Sequence, residues 1–71
     1  MIELGELVYA SDGKLLGRVG ELRDEFFKVN ADFRLDYWLP ISCVTERADD
    51  LLVTDFDYAH LSDHLREPGS L

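Results

Sequence analysis

Gly5-Glu6-Leu7-Val8-Tyr9-Ala10-Ser11-Asp12-Gly13-Lys14-Leu15-Leu16-Gly17-Arg18-Val19-Gly20-Glu21-Leu22 decides the fold. Residues 4–10 are rich in strand formers and run into Asp12-Gly13, a pair that supplies the positive-φ geometry a tight hairpin needs. The return, residues 14–23, spaces Leu16, Val19 and Leu22 three apart, as a helix would. Gly17 and Gly20 argue against a helix, since each weakens one by about 1 kcal/mol. A strand bent by a bulge at one of these glycines satisfies both the spacing and the composition, with Val19 and Leu22 filling the interior.

Downstream, Asp24-Glu25 makes a second short turn, and Phe26-Phe27-Lys28-Val29-Asn30 resumes the sheet with Phe27 and Val29 on one face and Phe26 and Lys28 on the other. Tyr37-Trp38-Leu39-Pro40-Ile41 is a fourth strand, with Pro40 at its end because proline cannot donate to a ladder. Ser42-Cys43-Val44 forms a turn. The segment from Thr45 to Thr54 reads as a fifth strand around Leu51-Leu52-Val53, preceded by a turn at Arg47-Ala48-Asp49-Asp50. From Thr54 the period changes. Thr54-Asp55-Phe56-Asp57 has the form of a capping box, and Tyr58, Leu61 and Leu65 lie at i, i+3 and i+7. This predicts a mainly β domain over residues 1–66: a small antiparallel β-barrel of five to six strands with a C-terminal amphipathic helix at about 56–66. Residues 67–71 are expected to form a flexible tail.

Composition limits what such a domain does. Its 71 residues bury about 60% of the surface that the unfolded chain exposes, which leaves little room for a large cleft. Seven Lys and Arg against 15 Asp and Glu give a net charge of −8, poorly suited to phosphate, so neither a nucleic acid nor an anionic membrane is an expected partner. One cysteine and no Cys/His metal spacing fit a reducing, cytoplasmic setting. No apolar run has the length of a signal peptide or a membrane span.

Two segments resemble the PRC-barrel family, the small β-barrels shared by the photosynthetic reaction-centre H subunit and the C-terminal domain of the small-subunit ribosome maturation factor. Residues 5–22 are similar to that family's opening G-x-x-V and D-G-x-x-(I/L)-G-x-V pattern, and Tyr37-Trp38-Leu39-Pro40-Ile41-Ser42-Cys43-Val44 to its Pro-ended strand. The resemblance spans roughly residues 4–56 and implies a stand-alone, PRC-barrel-like binding or assembly module with no shared catalytic residues or cofactor. It also implies, as an alternative, a ribosome- or RNA-processing-associated adaptor.

Among candidate site residues, Asp57, His60 and His64 share one ridge of the expected helix and form the one metal-binding alternative, against a solvated helix flank. Cys43 lacks a neighbouring base and reads as a small buried hydrophobe, as does the adjacent Ser42 as a non-nucleophile. The carboxylates Glu21, Asp24, Glu25, Asp49 and Asp50 lie in or beside turns, where acids are normally solvated. No catalytic residue is therefore assigned, and the chain is expected not to be an enzyme. The eight aromatics exceed what so small an interior encloses. Alternation turns Phe26 and Trp38 outward and, with Phe33, makes them candidates for a contact patch on a neutral or basic protein partner or on a second copy in a homodimer. The competing reading is that the terminal helix covers Phe26 and Trp38 in the same chain.

Overall fold

Period-two alternation, rather than helical spacing, organises nearly the whole chain. In the computed structural model, which describes residues 2–32 and 34–66, six strands form one sheet. They are β1 (Leu7–Tyr9), β2 (Leu15–Arg23), β3 (Phe26–Asn30), β4 (Tyr37–Pro40), β5 (Val44–Ala48) and β6 (Leu51–Thr54), in the spatial order β4-β3-β2-β1-β6-β5. All neighbours are antiparallel except β1 and β6, which run parallel. The β1–β2 hairpin turns through residues 11–13: the Ala10 N–H donates to the Lys14 carbonyl at 2.8 Å, and Gly13 takes φ +89°. That is a three-residue loop with glycine at its left-handed position.

β2 carries two irregularities. Its register slips between the partners of Val8 and Tyr9, leaving Leu16 extra, and again between Val19 and Glu21, leaving Gly20 extra. Gly17 stands between them at φ +154°, where a β-carbon would run into the Asn30 carbonyl and the Val29 side chain. The double bulge bends the strand over the core.

The inner face of the sheet is the core. Val8, Leu16, Val19, Phe27, Val29, Leu39 and Leu52 are buried, joined by Tyr37, Cys43, Phe56 and Leu61 in one cluster. Leu22 departs from expectation: it pairs with buried Phe27 yet is 42% exposed. β1 reaches only as far as Arg18, so the end of β2 has a strand on one side alone.

Two larger expectations are corrected. The sheet is mixed and open, not a closed antiparallel barrel, with β4 and β5 as its edges. Closure needs long strands in matched register. β4 has four residues and ends at Pro40, its outer side bridged at Trp38 by Arg66, while four of the five residues of β5 are exposed. The C-terminal amphipathic helix at 56–66 is also absent: the segment forms a 3-10 turn, Tyr58–Asp63. Its cap is Asp57, whose side chain accepts the His60 N–H at 3.1 Å, whereas Thr54 is buried at the end of β6 and donates its hydroxyl to the Phe56 carbonyl. The chain must travel from Phe56 to the edge of β4, where the Arg66 N–H donates to the Trp38 carbonyl at 2.9 Å. A 3-10 turn rises about 2.0 Å per residue against about 1.5 Å for an α-helix and so covers more distance with few residues. Of Tyr58, Leu61 and Leu65 only Leu61 is fully buried, Tyr58 being exposed and Leu65 half-buried. The expected tail at 67–71 lies outside the described residues. No helix among the described residues is long and apolar enough to cross a membrane.

Candidate contact face

The outward side of β2, β3 and β4 holds two ordered rows of side chains. Glu21, Lys28 and Trp38 are consecutive partners across the strands, and Arg23, Phe26 and Pro40 form the adjoining row. Phe26 and Trp38 are therefore diagonal neighbours across the β3–β4 ladder, and each is half-buried. The same alternation that buries Phe27 and Leu39 turns these two outward.

Cations surround the indole. The Arg23 guanidinium lies 5.2 Å and the Lys28 ammonium 5.7 Å from the Trp38 ring centroid, both within cation–π range. Glu21 holds them in place, at 3.1 Å from Arg23 and 3.8 Å from Lys28. Beyond the edge of β4, Arg66 pairs with the Trp38 backbone, and Arg66 lines the grooves on both sides of this row. One groove runs from Phe26 over Pro40 and Ile41 to Asp24 and Glu25; the other from Trp38 to Leu35 and Leu65. Leu35, at 90% exposed, and Ile41, at 37%, extend the apolar surface.

Of the three interface candidates, Phe26 and Trp38 thus share one face, and Phe33 lies outside the described residues. The metal candidates do not converge. His60 Nδ1 is 2.5 Å from Asp57 Oδ1, but His64 turns away and stacks on Phe56 with ring centroids 4.3 Å apart. Among the described residues no group of three His, Cys, Asp or Glu side chains could hold a metal ion. The Asp57–His60 hydrogen bond holds the Asp57 carboxyl below, and the His60 imidazole above, their ordinary values. Cys43 is buried, and loss of solvent pushes its thiol up to about 12, with the nearby Asp55 charge adding to the effect. Ser42 is exposed beside it, and Asp24, Glu25, Asp49 and Asp50 are exposed in the two hairpin turns.

Sequence reasoning missed Tyr37. Its hydroxyl is buried without a hydrogen-bond partner among the described residues, and burial pushes its pKa up to about 12. The residue lines a groove of about 250 Å³ with Leu15, Leu16 and Tyr58, and the Arg34 guanidinium lies 5.0 Å from its ring. At neutral pH this phenol keeps its proton and offers a donor, not a base. Also missed was the cationic frame of Trp38, which requires the registers of β2 on β3 and β3 on β4 to be known together. No protein-family model matches the chain, and no match is found among curated proteins or solved structures. The PRC-barrel resemblance rests on the two sequence segments that carry it.

Proposed function

We propose that this chain is a non-enzymatic protein-contact module of the PRC-barrel kind, working through the outward face of β2, β3 and β4. The observation that carries the reading is the placement of Phe26 and Trp38 side by side on that face, half-exposed and flanked by Pro40 and Ile41. Aromatic side chains set among arginines are the groups that dominate protein interfaces, because they bury large area at little entropic cost. A single buried cysteine supports a reducing compartment, the cytoplasm, as the place of action.

A photo-crosslinking residue in place of Phe26, compared with one in place of the exposed Tyr58, tests this. Irradiation in the source cell should join position 26, and not position 58, to a protein identified by mass spectrometry. The absence of any protein adduct from position 26 would remove the reading.

A further inference from the structure

We infer that the occupant of the Phe26–Trp38 face is the same face of a second copy of this chain, in a two-fold symmetric dimer. This rests on the contact-module reading above and names its partner. Arg23, Lys28 and Arg66 stand on the face, and so do Glu21, Asp24 and Glu25. Three cations against three carboxylates make the face neutral, in a chain whose net charge is −8. Arg34 and Asp36, beside Trp38 in the adjoining groove, add one of each sign and keep the balance.

The whole −8 is therefore carried elsewhere. The rest of the surface is strongly acidic in sum, so two copies approaching elsewhere repel on the whole, whereas this face lets them meet with an apolar centre and both signs at the rim. A two-fold axis places each patch on its own image, so a surface bearing both charges is complementary to itself. The overall acidity points to a neutral or basic partner; the local neutrality removes that requirement here and favours self-pairing. A standard interface takes about 800 Å² per copy, roughly a sixth of the 4631 Å² surface.

Salt separates this arrangement from capture of a charged partner. The remote −8 charges repel across the dimer, and added salt screens them. Raising NaCl from about 20 mM to about 300 mM should tighten self-association by roughly tenfold or more, where an interface held by unlike charges would weaken. Sedimentation velocity across a concentration series gives the affinity. Emission from Trp38, the single tryptophan, reports on the face itself in unmodified protein. Expected are a concentration-dependent dimer, a blue shift of Trp38 on association, and a weakening of roughly tenfold at low salt in Arg23→Glu. Arg23 is exposed, so that variant retains the fold, which circular dichroism checks.

A wild-type chain that stays monomeric up to about 500 µM in high salt would overturn the proposal, as would a dimer indifferent to Arg23→Glu. Crosslinks from position 26 to other proteins only, with a monomeric wild type, would overturn the second copy and leave the contact module standing. No adduct at all would remove both.

Discussion

Lys28 and Trp38 face each other directly across the β3–β4 ladder, the ammonium 5.7 Å from the indole centroid, while Arg23 reaches the same ring from the next row at 5.2 Å. The indole is thus part of the folded surface in the isolated chain as well as a contact group. Trp38→Ala should cost about 1–2 kcal/mol through lost cross-strand packing and cation–π contact, lowering Tm by roughly 5–15 °C. Arg23→Ala should cost no more than about 0.5–1 kcal/mol, because an exposed cation loses little when removed. Thermal melts of the two variants check the ranking, and equal losses would contradict it.

Gly17 and Gly20 should respond differently to the same methyl group. At Gly17, with φ +154°, an added β-carbon meets the backbone of Asn30, which cannot yield without breaking the β2–β3 ladder. Gly17→Ala should therefore cost about 3 kcal/mol or more, enough to threaten folding in so small a domain. At Gly20 the nearest atoms a β-carbon meets are those of the Asn30 side chain, which is exposed and can rotate away. Gly20→Ala should stay within about 1 kcal/mol of wild type. Urea denaturation of both variants tests the contrast.

Tyr37 carries a buried hydroxyl with no partner among the described residues, so the folded state bears the cost of its lost hydration. Tyr37→Phe should be neutral or stabilising, by up to about 1 kcal/mol. It should also remove a phenol that ionises near pH 12 from the ultraviolet titration of the native protein. A clear loss of stability would show that the hydroxyl has a partner after all.

The Asp57–His60 pair makes stability depend on pH with a definite sign. His60 has a raised folded pKa, so its contribution is complete below the ordinary value of 6.5 and is lost as pH rises through the raised one. Asp57 has a lowered folded pKa, so its contribution is present above the ordinary value of 3.8 and is lost as pH falls through the lowered one. The pair therefore stabilises most between about pH 4 and 6.5. Both groups are solvent-facing, so the effect is small and weakens with salt. In an NMR titration the His60 ring should protonate above 6.5 in wild type and move back toward it in Asp57→Asn.

The hairpin at Asp12-Gly13, the bend of β2, the inward set Phe27, Val29, Tyr37 and Leu39, and the outward direction of Phe26 and Trp38 were all legible in the order of residues. Each depends on neighbours in the chain: a turn dipeptide, a glycine, or alternation along one strand. Three features were not. The segment after Thr54 has a helical apolar period, yet the distance from Phe56 to the edge of β4 imposes a 3-10 turn and leaves His64 on Phe56 instead of beside His60. The parallel pairing of β1 with β6 joins strands more than forty residues apart, and the opening between β4 and β5, close neighbours in sequence, arises because these two edge strands do not pair. The neutral charge of the Trp38 face, set in an acidic chain, follows from two registers taken together. Local chemistry alone determined most of the strands and the apolar side of β3 and β4, because those choices are settled within a few bonds; it did not determine β5, whose Arg47 and Ala48 read as a turn, or the exposure of Leu22 on β2. Tertiary structure decided which strands meet and so which charges share a surface, because that outcome belongs to the packing of the whole chain.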